Sequence, residues 1–192
     1  MNNVGRLAVY CGSAPGNRPV FADAARATAE AMVERGVDLV YGGGRLGLMG
    51  LIADNVLDRG GRVYGVIPAA LIELEVAHEG VTELYRVETM HERKAKMTEL
   101  SDAFLALPGG IGTLDELFEA WSWNALGYHA KPFCLLNVEG FWDGMIEFID
   151  HATQSGFLSQ QRRSQLLVAA TPAEALELLD EAAAAATQGM VW

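Results

Sequence analysis

Short apolar runs alternate with stretches of helical periodicity along almost the whole chain. Because a short, continuous apolar run suits a strand buried on both sides, this alternation predicts an α/β fold with a mostly parallel sheet and helices on both faces. The predicted strands are Leu7–Cys11, Asp38–Tyr41, Val63–Ile67, Leu84–Val87, Ala103–Leu107, Phe133–Asn137 and Leu166–Ala170. The predicted helices are Pro19–Arg35, Leu48–Arg59, Thr89–Leu100, Thr113–Leu126, Phe141–Ser155 and Pro172–Ala186. We expect a single domain over residues 1–192.

Composition and charge limit the partners that such a domain can have. The chain is 51% hydrophobic and 20% charged, which is typical of a globular protein, and its formal charge of −11 argues against nucleic acid as a partner. No segment approaches the roughly 20 apolar residues of a membrane span, so we expect no membrane partner and a cytoplasmic location. Cys11 and Cys134 lie in separate apolar runs, which predicts buried free thiols.

Glycine-rich loops follow several of the predicted strands, at the edge where parallel sheets bind ligands. Gly42, Gly44 and Gly47 fit the pattern G-x-G-x-x-G. However, the next strand ends at Pro68 without an acidic residue to hold a ribose, and the loop lacks the Gly-Lys-Ser/Thr of a P-loop. These absences argue against a nicotinamide dehydrogenase and a nucleotide triphosphatase. They leave an ordinary strand-to-helix turn or a mononucleotide phosphate site, and a second glycine loop favours the latter.

That second loop is the segment Pro108–Glu116, Pro-Gly-Gly-Ile-Gly-Thr-Leu-Asp-Glu. Its glycines let the backbone approach a ligand, and the helix that it opens offers N–H groups and a positive dipole end to an anion. Glu116 follows one turn later, so an anion cradle and a possible catalytic acid lie side by side. Thr113 and Glu116 also fit a capping box, which would be a purely structural explanation. The segment otherwise indicates chemistry on a phosphorylated substrate.

An arginine interrupts the apolar stripe of the helix Thr89–Leu100. Met90, Met97 and Leu100 recur at helical spacing, and Arg93 projects from the middle of their stripe. A guanidinium directed into such a stripe requires a carboxylate, a phosphate or another polar partner. The alternative is an arginine whose stem packs while its head reaches the surface. Lys94 lies at the edge of the stripe, where its cation could meet an anion.

The helix Thr113–Leu126 predicts an interface. Its core stripe is predicted to contain Leu114, Leu117, Phe118, Trp121 and Ala125, with Glu116 pointing almost to the opposite side. A second face, which bears Ala120, Trp123 and Leu126, is too apolar for free solvent. We therefore expect a homodimer that buries this face and closes the site around Glu116.

Two of these segments together resemble a known family. Pro108–Glu116 matches its P-G-G-x-G-T-x-x-E signature, and Met90–Lys94 matches its M-H-x-R-K signature. This is the Lonely Guy family of cytokinin riboside 5′-monophosphate phosphoribohydrolases, long mislabelled as lysine decarboxylases. The similarity runs from Ala8 to about Ala170.

The resemblance implies a Rossmann-like homodimer that cleaves an adenosine 5′-monophosphate, often N6-substituted with an isoprenoid, into the free base and ribose 5-phosphate. It implies Arg93 and Glu116 as the catalytic pair, with no cofactor and no metal. The substrate-binding positions that it implies are Ser13, Gly43, Gly44, Glu75, Met90, Arg93, Lys94, Gly109, Gly110, Ile111, Gly112 and Thr113.

Two rival functions remain to be weighed. Decarboxylation through pyridoxal phosphate needs a Schiff-base lysine, and the chain offers only Lys94, Lys96 and Lys131, none of which is placed for that role by the sequence pattern. A non-catalytic carrier of a nucleotide or nucleotide-bearing cofactor is the stronger rival, because relatives with this fold bind such ligands without cleaving them. A carrier would not require both Arg93 and Glu116, so their presence favours hydrolysis.

Overall fold

The computed structural model describes residues 4–74 and 76–188. In these residues seven strands form one sheet in the order β4-β3-β2-β1-β5-β6-β7, and every neighbouring pair is parallel. The strands are β1 Arg6–Tyr10, β2 Asp38–Tyr41, β3 Val63–Pro68, β4 Glu83–Val87, β5 Ala103–Ala106, β6 Phe133–Leu136 and β7 Leu166–Ala169. The predicted parallel α/β sheet is confirmed.

Helices cover both faces of the sheet. They are α1 Pro19–Glu34, α2 Gly47–Asp58, α3 Met90–Leu100, α4 Ile111–Ala125, α5 Asp143–Gln154, α6 Gln160–Ser164 and α7 Pro172–Gln188. Residues of α1, α2 and α7 pack on one face, and residues of α3, α4 and α5 pack on the other. Short 3₁₀ turns at Ala69–Leu71 and Val138–Gly140 follow β3 and β6.

Alternate residues of each strand enter opposite cores, which explains why the strands are apolar throughout. In β1, Leu7 and Val9 belong to the core under α1 and α2, whereas Ala8 and Tyr10 belong to the core under α3 and α4. Side chains of successive strand residues point to opposite faces, so a sheet covered on both sides requires apolar residues at every position. The sheet is therefore specified by continuous apolar runs.

The order of the strands creates a crevice at the carboxyl edge of the sheet. The chain moves outward from β1 through β2 and β3 to β4, and then returns to place β5 on the other side of β1. The helix after β1 covers one face and the helix after β5 covers the other. The connections thus diverge between β1 and β5, which is the point at which open α/β sheets bind ligands.

The structure corrects several sequence predictions. Most element boundaries move by one or two residues, and the short helix α6 was missed because it has little apolar periodicity. The predicted stripes of α4 are rotated: Phe118 is 36% exposed, whereas Ala120 is buried in the core beside Leu117 and Trp121. Ala120 therefore cannot belong to an exposed second face. Among the described residues, no helix has the length and apolar character needed to cross a membrane.

Both cysteines are buried and free, as predicted. Burial, with a smaller contribution from the Glu116 carboxylate, raises the pKa of Cys11 far above its ordinary value. Burial likewise raises the pKa of Cys134 to about 12. Since the thiolate is the reactive species, neither thiol should be reactive in the folded protein.

We predict that a disulfide reagent such as dithionitrobenzoate leaves both thiols unmodified in the native protein at pH 8, and that both react after unfolding in guanidinium chloride. The released chromophore measures this directly. Rapid modification of either thiol without denaturant would show that the packing around it is wrong.

Candidate functional site

The loops after β1 and β5 meet backbone to backbone. The Gly12 amide donates to the Pro108 carbonyl at 3.1 Å, and the Leu48 amide at the start of α2 donates to the Gly12 carbonyl at 3.0 Å. A Cβ on Gly109 would lie 2.9 Å from the Gly12 nitrogen and 2.0 Å from Thr113 Oγ1. Only glycine leaves room for this contact. It joins the segment Pro108–Glu116 to the loop that carries Ser13.

Helix α4 begins two residues earlier than predicted. Its N-cap is Gly110, which provides no side-chain cap, and its first turn closes with the Leu114 amide donating to the Gly110 carbonyl at 3.1 Å. The amides of Ile111, Gly112 and Thr113 precede that bond, and open space surrounds the Cβ positions of Gly110 and Gly112. Such an exposed helix start suits an anion. Because Thr113 lies inside the helix, buried against Gly109, the capping-box explanation is wrong.

The loop after β2 approaches the same place from the other side. Gly43 has a φ of +77°, and Gly44 forms a bridge with Ala77. A Cβ on Gly47, whose φ is +61°, would lie 2.3 Å from the carbonyl carbon of Ser13. The loops that carry Ser13, Gly43 and Gly44 are therefore in close contact, as a nucleotide site built from all of them requires.

Arg93 is buried, and its charged head does not reach the surface. Only 4% of the residue is exposed. Its Nε donates to the Val66 carbonyl at 3.1 Å and its Nη2 donates to the Gly42 carbonyl at 2.7 Å. Met90, the first residue of α3, places its sulfur 3.8 Å from Nη1. The guanidinium is thus fixed at the ends of β2 and β3, and the interpretation of a surface-reaching head is wrong.

The start of α3 is capped by side chains, in a variant of the capping box in which the Glu92 carboxylate reaches the residue before the N-cap Thr89. The Thr89 side chain accepts from the Glu92 amide at 3.1 Å, and the Glu92 carboxylate accepts from the Glu88 amide at 2.9 Å. This reciprocal pair defines the first residue of the helix. It therefore sets which residues of α3, Arg93 among them, face the sheet.

Glu116 is half-buried on the inner side of α4. It lies between Thr113 and Ala120 in helical spacing, and both of these residues are buried, so the prediction that Glu116 points away from the core is wrong. Burial, followed by the carboxylates of Glu116 and Glu119, raises the pKa of Tyr10 well above its ordinary value. Glu116 also raises the pKa of Cys11. Its carboxylate therefore lies near the end of β1.

Arg93 and Glu116 lie near the ends of neighbouring strands, Arg93 at β2 and Glu116 at β1. The paired residues of β1 and β2 end with Ala8 and Val40, and the same register extended by two residues places Tyr10 level with Gly42. Adjacent strands lie about 4.8 Å apart. A permanent cation held on Gly42 and a carboxylate near Tyr10 thus serve one crevice.

Lys94 makes ion pairs with α4. Its Nζ lies 3.0 Å from Asp115 Oδ2 and 3.1 Å from Glu119 Oε2. Partial burial favours the neutral amine, but the hydrogen bond to Asp115 and the charge of both carboxylates outweigh it and raise the pKa of Lys94. The lysine is thus charged and directed toward α4.

One contact near the site has no clear signal in the sequence. His78 is 3% exposed, and its Nε2 lies 2.8 Å from Asp54 Oδ1, while its amide donates to the Gly43 carbonyl at 2.9 Å. The segment after β3 is therefore tied to the loop after β2. Glu75, the remaining predicted substrate contact, lies outside the described residues. No cluster of three or more metal-ligating side chains occurs among the residues that the structure does describe.

Comparison with known proteins now adds to this geometry. A family model described as possible lysine decarboxylase matches residues 49–179. The cytokinin riboside 5′-monophosphate phosphoribohydrolase LOG of Oryza sativa subsp. japonica is 49% identical over 187 residues, which are 97% of this chain and 77% of the rice protein. LOG2 of Arabidopsis thaliana, also named as a cytokinin riboside 5′-monophosphate phosphoribohydrolase, is 48% identical over 92% of this chain and 83% of the Arabidopsis protein.

The chain belongs to the LOG family. The lysines of this chain give little support to the lysine decarboxylase description of the family model. Lys94 and Lys96 form ion pairs with carboxylates, and Lys131 donates to the Thr98 carbonyl. A Schiff base requires a neutral amine that is free to react, and the ion pairs of Lys94 and Lys96 oppose this. Burial lowers the pKa of Lys131, but its amine is engaged by the Thr98 carbonyl.

The fold is shared more widely than the LOG family. The molybdenum cofactor carrier protein MCP of Chlamydomonas reinhardtii superposes with a TM-score of 0.69 at 18% identity, covering 93% of this chain and 98% of the carrier. The molybdenum cofactor binding protein of Rippkaea orientalis superposes with a TM-score of 0.67 at 22% identity. The superposition covers 92% of this chain and 95% of the Rippkaea protein. At these identities the likeness establishes a common Rossmann-like fold.

The close fit around Arg93 predicts the effect of a methyl group at Gly42. A Cβ there would lie 2.1 Å from Nη2 of Arg93, so Gly42→Ala should displace the guanidinium and lower the free energy of unfolding by about 1–3 kcal/mol. Urea unfolding measures the change. Gly144→Ala is the matched control, because open space surrounds a Cβ at Gly144. Equal stability of the two variants would contradict the fixed position of Arg93.

Proposed function

We propose that this chain hydrolyses the N-glycosidic bond of a cytokinin riboside 5′-monophosphate, an N6-substituted adenosine 5′-monophosphate, and releases the base and ribose 5-phosphate. The observation that carries the proposal is the meeting of both family signatures at one sheet edge. Arg93 of the first is fixed on Gly42 and Val66, and Glu116 of the second lies near the end of β1. Relatives with this activity in their names are 47–49% identical to the chain.

The phosphate of the substrate is bound at the start of α4. The amides from Gly110 to Thr113 form the exposed N-terminus of α4. Backbone donors and the positive end of the helix dipole favour an anion there. Gly109 keeps the loop close to Gly12. This local arrangement lets a chain with a net charge of −11 hold a phosphate.

Glu116 stabilises the charge that develops on the sugar. As the bond between C1′ and the base nitrogen breaks, positive charge builds on the ribose, and a nearby carboxylate both offsets that charge and orients the attacking water. Water supplies the hydroxyl group that bonds to C1′, and the remaining proton of that water ends on the departing base. The position of Glu116 one turn after the phosphate loop suits a ribose that follows its 5′-phosphate.

Arg93 contributes a fixed positive charge. A guanidinium stays protonated in proteins, which makes it a poor general acid. Its Nε and Nη2 already donate to backbone carbonyls, so its orientation is set before substrate binds. We assign to it the polarisation of the departing base and the positioning of the loops that surround the nucleotide.

The remaining assignments complete the nucleotide site. Ser13, Gly43 and Gly44 lie on loops in mutual contact and line the nucleotide, and Met90 lies beside the guanidinium of Arg93. Glu75 is retained as a predicted substrate contact. A carrier function is the alternative, since proteins of this fold include molybdenum cofactor carriers, but a carrier has no need of the pair formed by Arg93 and Glu116.

We predict that Glu116→Gln retains nucleotide binding and loses turnover by about 10²–10³-fold, because the neutral amide cannot offset charge on the sugar. Chromatography of the free base after incubation with isopentenyladenosine monophosphate measures turnover, and calorimetry measures binding. Glu147→Gln, an exposed change on α5, is the control and should turn over normally. Unchanged turnover in Glu116→Gln would remove this residue from the mechanism.

We also propose a homodimer that buries the Trp123 face, defined as Trp123, Leu126 and Tyr128. Leu126 is 70% exposed and Tyr128 is 74% exposed, and the Trp123 ring lies between Tyr128 and His91. A cluster of exposed apolar and aromatic side chains of this kind favours a protein partner. Because this face belongs to the helix of Glu116, a second copy placed there would also shield the site.

Sedimentation at micromolar concentration should give the mass of a dimer, and Leu126→Asp should give a monomer, since association would bury an unpaired charge. Ala27→Asp, an exposed change on α1 at the opposite side of the sheet, is the control and should stay dimeric. A monomeric wild-type protein would refute the proposal.

We also propose that the protein is cytoplasmic, as expected from the sequence. Cys11 and Cys134 are free thiols in the described part of the chain, and unpaired buried cysteines are usual in reducing compartments.

A further inference from the structure

Lys94 connects the two helices that carry the proposed catalytic pair. It directly follows Arg93 on α3, and its two partners flank Glu116 on α4: Asp115 immediately precedes Glu116, and Glu119 follows one turn later. The two helices also share a core that includes Met97 and Leu117, and the ring of His91 lies against that of Trp123. Together with these contacts, the ion pairs fix the spacing between α3 and α4 beside the reacting groups.

The environment of Lys94 makes these ion pairs stronger than ordinary surface pairs. The lysine side chain is 14% exposed and that of Glu119 is 22% exposed, whereas Asp115 is 52% exposed. Exposed pairs contribute little because water screens them, and shielding from water increases the attraction. Glu119 is thus the better-shielded partner of Lys94, whereas Asp115 is the partner that accepts its hydrogen bond.

The same cation offsets an accumulation of negative charge. Asp115, Glu116 and Glu119 fall within about one turn of α4, and like charges at that spacing repel one another. Glu116 and Glu119 are three residues apart in α4, so their carboxylates share one side of the helix. Without Lys94, repulsion would move the side chain of Glu116 away from Glu119.

We propose that Lys94 is a positioning residue, which holds Glu116 in place through Asp115 and Glu119 and does not bind the substrate itself. This inference rests on the proposed function. It departs from the resemblance, which implies that Lys94 contacts the substrate beside Arg93. The Lys94 amine is engaged by two carboxylates of its own chain, which leaves it poorly placed to serve as a phosphate ligand.

The two roles differ in their kinetic consequences. A positioning residue acts on the transition state, so its loss lowers kcat with KM little changed, whereas the loss of a phosphate ligand raises KM. The two roles also differ in their coupling to Glu119. Residues that act as one unit give non-additive effects, whereas independent contacts give additive ones.

The test is a set of kinetic measurements on Lys94→Met, Lys94→Arg, Glu119→Gln and the double variant Lys94→Met/Glu119→Gln. We expect Lys94→Met to lower kcat by about 10²-fold, since a displacement of about 1 Å has that effect. We expect Lys94→Arg to restore much of the activity, and the double variant to be no slower than Lys94→Met. Lys96→Met is the matched control, because Lys96 pairs with Glu99 on its own helix, and it should keep wild-type kcat.

The outcomes separate this inference from the proposed function. If the wild-type protein releases no base, the proposed function fails, and the positioning role that rests on it is overturned with it. If the wild-type protein is active, a raised KM with unchanged kcat in Lys94→Met, or additive losses in the double variant, overturns the positioning role. Thermal unfolding of each variant identifies any that fail to fold, and Lys94→Arg then carries the comparison.

Discussion

The site depends on a buried guanidinium that is held by two backbone carbonyls. Arg93 donates to Gly42 and Val66 at the ends of adjacent strands, and a buried charge of this kind is tolerated only with well-placed partners. The contact fixes the ends of β2 and β3, leaves no room for a Cβ at Gly42 and orients α3. Protein folding thereby places a permanent positive charge in the crevice before any substrate arrives.

A second constraint comes from the close approach of the loops after β1 and β5. Gly12 and Gly109 let these backbones touch, and the contact sets the start of α4, from which both the amides that we propose to bind phosphate and Glu116 follow. The ion pairs of Lys94 then relate α4 to α3. Helices α3 and α4, which follow different strands, are thus held beside one crevice, with the cation on one helix and the carboxylate on the other.

Much of this could be predicted from the sequence, because strands buried on both sides are apolar throughout and the loop glycines stand at strand ends. The sequence leaves open whether the guanidinium of Arg93 is buried or reaches the surface. Helical spacing shows the side of the helix from which a side chain projects, but not where its charged end lies. The rotation of α4 was missed because Ala120 and Phe118 are both apolar, and only packing decides which is covered. The contact of His78 with Asp54 joins residues with no periodic relation.

The account places this LOG-family chain among enzymes that cut a ribosyl bond, in a fold that carriers also use. The most direct test is the product balance of the wild-type protein with isopentenyladenosine monophosphate and with AMP. Hydrolysis predicts that free base and ribose 5-phosphate appear in equal amounts. Nucleotide that binds and is recovered intact would contradict the account and favour a carrier, and the release of nucleoside with inorganic phosphate would contradict the assignment of the bond that breaks.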